Sequence, residues 1–130
     1  MSWMKKSALM ASLLGLSVNV AWAEPKSCQT KNLGAGEDKT ICVYEKQTLA
    51  QAYAHVKKVI DGGVLLREAF PNSAVTDELP ENNEEGLVNA AYGIKGSAWT
   101  LDLGYQGGQT TVLFQPKAND VVVEIVMSAD

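Results

Sequence analysis

Few side chains in this 130-residue chain are equipped for chemistry, and most lack the company that chemistry requires. The single histidine, His55, lies between Ala54 and Val56 and is followed by Lys57 and Lys58. A catalytic imidazole needs a nucleophile and an orienting carboxylate. No G-x-S-x-G run and no second histidine accompany His55, which reads as a half-exposed helix residue. Asp102 and Glu124 could face each other across a sheet as a glycosidase-type acid and base. Without an array of sugar-binding aromatics, they read instead as isolated polar-face positions.

Asp77, Glu78, Glu81, Glu84 and Glu85 supply five acids with no base among them. Carboxylates at this density can hold Ca²⁺, but the EF-hand spacing and its central glycine are missing, so no metal site is expected. The same acids can be simply solvated, or can steer and pair with a cationic protein. With Tyr105 they form the candidate partner-binding set. Trp99 reads as a core anchor because indole buries a large area, while Tyr92 and Tyr105, near turns, can join it in a contact surface. No catalytic residue and no cofactor are assigned.

Cys28 and Cys42 are the only cysteines, with thirteen residues between them. That spacing fits neither C-x-x-C redox chemistry nor a zinc knuckle. A single structural disulfide is expected, closing a loop for a stabilisation of about 3 kcal/mol. The residues between the cysteines are largely polar, so the bridge is expected to tie an N-terminal loop to a strand around Ile41.

The start of the chain sets the compartment. Lys5 and Lys6 precede an apolar run from Ala8 to Val20, which ends in Ala21-Trp22-Ala23. Charged start, short apolar middle and small-x-small end are the parts of a secretory signal, and the run is too short and too diluted for an uncleaved span. Cleavage is expected after residue 23, leaving a single domain over 24–130 in the periplasm or medium. Without Lys5 and Lys6 that domain holds 9 basic against 15 acidic side chains, a formal charge of −6 against −4 for the full chain. Nucleic acid is disfavoured as a partner, because phosphate binding needs a basic footprint.

The elements that must position these residues follow from periodicity. Thr40–Tyr44 is β-branched and aromatic and reads as a first strand. A helix is predicted over about 48–61: Thr48 and Gln51 form a capping box, and Leu49, Ala52, Tyr53, Val56 and Ile60 share one stripe. Gly62-Gly63 stop it. Val64–Phe70 reads as one or two further helical turns. Residues 72–86 read as a long acidic loop. From Leu87 onward, four apolar runs separated by Lys95-Gly96, Gln106–Gln109 and Pro116–Asp120 give an antiparallel meander.

The expectation is an α+β domain with one helix on a four- to five-stranded meander sheet, in the order β-α-β-β-β-β. That order resembles cystatin-like domains in architecture alone, since the glycine-centred inhibitory hairpin motif of cystatins does not appear here. Export, small size, net acidity and the absence of a recognisable catalytic set favour a binding or inhibitory protein. An immunity-type or lysozyme-inhibitor-type protein acting on a basic envelope hydrolase or toxin would have these properties. The alternative is a small-ligand-binding domain or minor enzyme with a pocket between sheet and helix.

Overall fold

The computed structural model describes residues 24–129, so the leader expected over residues 1–23 lies outside the described residues. Seven strands form one antiparallel sheet: β1 (Ser27–Gly34), β2 (Glu37–Tyr44), β3 (Val75–Glu78), β4 (Leu87–Lys95), β5 (Ala98–Tyr105), β6 (Gly108–Lys117) and β7 (Asp120–Ala129). Their spatial order is β1-β2-β7-β6-β5-β4-β3. The helix α1 (Leu49–Val59) packs on β6 and β7. The α+β class holds, but the sheet has seven strands rather than four or five. Two strands precede the helix, so the cystatin-like order does not apply.

The helix forms as its sequence dictates. Thr48 Oγ1 accepts from the Gln51 N–H at 3.1 Å while Gln51 Oε1 accepts from the Thr48 N–H at 2.9 Å, closing the capping box. Ala52, Tyr53 and Val56 are buried on its inner stripe, and a fully buried valine contributes about 2 kcal/mol. Gly62, at φ 78°, turns the chain out of the helix. A Cβ at Gly63 would lie 1.8 Å from the Lys57 carbonyl oxygen, so only glycine fits there.

One local expectation is overturned and two are met only in part. Residues 28–42 are a β-hairpin, not a loop tied to a strand. Ala35 and Gly36 both adopt positive φ, 54° and 77°, the geometry of a tight hairpin turn. Cys28 and Cys42 are direct cross-strand partners, 4.1 Å apart at Cα, and are joined by a disulfide. The hairpin escaped the periodicity because β1 is exposed at all eight positions and has no apolar face.

Val64–Phe70 makes only a 3₁₀ turn at Gly63–Leu65. Val64 is 81% exposed, and the chain beyond it is held by tyrosine hydroxyls rather than by a helical ladder. Within the acidic stretch, Val75–Glu78 forms β3 and pairs with β4 from Val75↔Tyr92 to Glu78↔Asn89.

Strand alternation puts Tyr44, Val123, Val112, Phe114, Leu101, Leu103, Ala90 and Tyr92 on the face beneath the helix, where they form the core. Among the described residues no helix is long and apolar enough to cross a membrane.

Candidate functional site

The inner face of the sheet is closed at one end and open at the other. At the closed end Phe70 reaches over the sheet and stacks on Trp99, ring centroids 4.3 Å apart and planes within 7°. It meets Tyr53, Tyr92 and Phe114 edge-on at 5.4, 5.3 and 6.3 Å. Edge-to-face and offset contacts of this kind add to the area each ring buries. Trp99 is thus a packed anchor, as its strand position implied.

Arg67 fixes the segment that carries Phe70. The Tyr53 hydroxyl donates to the Arg67 carbonyl at 2.5 Å, and the Arg67 N–H donates to the Tyr92 hydroxyl at 2.9 Å. Its guanidinium makes two hydrogen bonds to Asp77, at 2.7 and 2.8 Å, and lies over the Tyr92 ring. These bonds hold the Asp77 carboxyl below its ordinary range.

At the open end, beyond the last turn of α1, the same face forms a cleft. Its floor is Ile125 and Met127 of β7 with Thr110 of β6, its walls are Val59 and Ile60 on one side and Tyr105 on another, and Thr40 of β2 closes it. The enclosed part measures about 210 Å³. It continues into a shallower trough of about 380 Å³ that reaches Gly36 and Asp38 in the β1–β2 hairpin. Asp38, Met127 and Thr110 are consecutive cross-strand neighbours, so this continuity is set by register.

Tyr105 stands between cleft and helix end. Its hydroxyl donates to the Asp61 carbonyl at 2.6 Å. Burial, aided by the charges of Asp61 and Glu85, pushes its phenol up to about 12, so it stays protonated and keeps donating. Asp38 accepts from the Asn32 side-chain amide at 3.1 Å, which orients its carboxylate. The residues lining the cleft and trough include two carboxylates, Asp38 and Asp61, and no base. Alternation explains this. Lys31 and Lys39 face each other on the opposite side of the sheet, where Lys39 pairs with Glu124 at 3.5 Å.

The six candidate partner-binding residues do not form one surface. Asp77 is taken up by Arg67. Glu78 is exposed at the end of β3, and Glu81 and Glu84 are exposed in the turns that follow. Glu85 accepts from the Gly62 N–H at 3.0 Å, so it and Tyr105 come together around the Asp61–Gly62 turn. Asp38, Asp61, Val59 and Met127 were not singled out from sequence. Val59 left a signal: it is an apolar residue off the buried helix stripe, and it is 59% exposed.

His55 Nδ1 lies 2.7 Å from the Tyr44 hydroxyl. Burial raises that phenol to about 12 and, as the leading cause, lowers the imidazole, so the hydroxyl donates to a neutral ring. Asp102 is opposite Thr111, and Glu124 is opposite Leu113. They are not cross-strand neighbours: β6 lies between them with two residues of offset, which sets their backbones roughly 12 Å apart, and Glu124 is paired with Lys39. Among the described residues no group of three or more His, Cys, Asp or Glu is placed to hold a metal ion. The chain matches no protein-family model, no curated protein and no solved structure.

Proposed function

We propose that this is an exported, non-catalytic binding protein whose partner is a basic protein of the cell envelope or of a competitor, inhibited by the encounter. Residues 1–23 act as the leader, and the domain from Glu24 onward works in an oxidising compartment. The observation that carries the reading is the open end of the sheet, an apolar cleft bordered by carboxylates and free of bases in its lining. An exposed apolar surface rimmed by polar groups is a mark of protein interaction sites. The Cys28–Cys42 disulfide supports the compartment, because such bridges persist outside reducing cytosol. Net acidity supports a cationic partner through steering of the encounter.

The alternative, a small-ligand pocket between sheet and helix, is disfavoured at the Trp99 end by the Phe70 ring stacked on that indole, and at the Tyr105 end the cleft is open along the sheet. The acidic stretch as a single docking loop is disfavoured by Arg67, which claims Asp77, and by the scatter of the remaining acids. The test is affinity capture with the 24–130 protein against purified basic wall hydrolases, at low and at high ionic strength, with hydrolase activity followed in parallel. The reading expects capture that weakens with salt and a matching loss of hydrolysis. Failure to capture any basic hydrolase at low ionic strength would overturn it.

A further inference from the structure

The cleft at the end of α1 has a chemistry that specifies which part of a partner enters it. Val59 and Met127 are large apolar residues left 59% and 52% exposed, and both line the same depression. Asp61 stands at its rim, and Asp38 stands where the depression runs into the hairpin. The Asn32 amide occupies one Asp38 oxygen and leaves the other for a second donor. No lysine of the hairpin neutralises the two acids, because alternation sends Lys31 and Lys39 to the far face.

We infer that the cleft takes an extended protein segment in which a lysine or arginine stands two residues from an apolar residue, so that both side chains point to the same side. The cation lies against Asp38 and Asp61, and the apolar side chain rests on Val59, Ile125 and Met127. This deepens the binding reading above and rests on it. Two features select a protein segment over a small molecule. The deeper part of about 210 Å³ runs on into the trough of about 380 Å³, which is open along the sheet, so a long occupant is favoured over a compact one, and both apolar and acidic groups line its path. A long cationic side chain also suits the site because its methylene stem can cover apolar surface while its charge reaches the rim.

The test is an NMR titration of the isotope-labelled 24–130 protein with a capped peptide of repeating Leu-Ser-Lys-Ser, which puts leucine and lysine on one side of an extended chain. Counterparts carrying glutamate for lysine and serine for leucine serve as controls. The leucine–lysine peptide should shift the amides of Thr40, Asp61, Tyr105, Thr110 and Met127, and neither control should do so. Exchange of both Asp38→Asn and Asp61→Asn, isosteric and at exposed positions, should weaken binding roughly fivefold, the scale of two solvent-facing ion pairs. Glu81→Gln with Glu84→Gln should leave binding unchanged.

Shifts elsewhere on the surface, equal response to the glutamate peptide, no shift at millimolar peptide, or indifference to the double aspartate exchange would each overturn the assignment. A basic hydrolase captured equally by the wild type and by the double variant sinks the cleft and leaves the binding function standing, whereas no capture by either sinks the binding function.

Discussion

One sheet carries two opposite solutions to the same problem, what to place against an apolar inner face. At the Trp99 end the problem is solved within the chain: Phe70 covers the indole, and Arg67, held by two tyrosine hydroxyls and Asp77, keeps Phe70 in place. At the Tyr105 end the helix stops short. Val59, Ile125 and Met127 line an open cleft whose lining has acidic but no basic residues. The contrast separates scaffold from surface. Where polar groups are spent on one another the site is closed to ligands, and where two carboxylates lack a cation in the lining a partner can supply one.

The largest expected effect of breaking this contrast is at the closed end. Phe70→Ala should lower unfolding free energy by about 2–3 kcal/mol, below the range for a fully buried ring because Phe70 is only partly buried. Urea unfolding followed by Trp99 fluorescence checks it, and a loss under about 1 kcal/mol would show that the ring does not close this end. Replacing both Cys28 and Cys42 with alanine should cost about 3 kcal/mol through the freed loop. Reductant should lower the unfolding free energy of the wild type by a matching amount, read from the same curves. Tyr53→Phe comes next. It removes the donor to the Arg67 carbonyl, and leaving that acceptor unpaired should cost about 1–2 kcal/mol.

Acid should act on the closed end through Asp77. Its carboxyl is held below the ordinary value of 3.8, so its stabilisation is present above that pH and is lost as pH falls through the lowered value. His55 adds an earlier step. Its lowered pKa means the fold prefers the neutral ring, so its contribution is complete above 6.5 and declines as pH drops below that value. In alkali, Tyr44 and Tyr105 are raised from 10.0 to about 12 and should lend stability that is lost as pH rises through that window. Denaturant midpoints across pH, alongside phenolate absorbance, would register all three. A midpoint that stays flat from pH 7 to below 6 would show that burial does not hold the His55 ring neutral. The smallest effect belongs to the open end: Met127→Ala should change stability by less than about 0.5 kcal/mol while weakening the peptide binding described above.

How much of this was legible follows the same division. The helix and the last four strands were readable because each has a repeating apolar stripe, and Thr48 with Gln51 marks the helix start. The β1–β2 hairpin was not, since its pairing rests on polar ladders such as Thr30 with Thr40 and on a turn with alanine at positive φ. Four-residue β3 was hidden among acids and prolines. Arg67 gave no sign of its role because its partners lie 10, 14 and 25 residues away, and only the folded chain brings them together.

The site was visible in fragments. Tyr105 and Glu85, both in the candidate set, meet near the cleft because each bonds the Asp61–Gly62 turn, a contact that neither a turn position nor an acidic run implies. Asp38, Asp61 and Met127 come from three separate elements, and no spacing in the sequence links them.

The claim at the centre, that recognition belongs to the open end and scaffolding to the closed one, is tested most directly by hydrogen–deuterium exchange on a complex with a captured basic hydrolase. The account predicts new protection over residues 37–41, 59–63, 105–110 and 125–129, with residues 66–71 unchanged. Protection centred on residues 66–71 and 92–99, or confined to the acidic turn at 81–84, would contradict it.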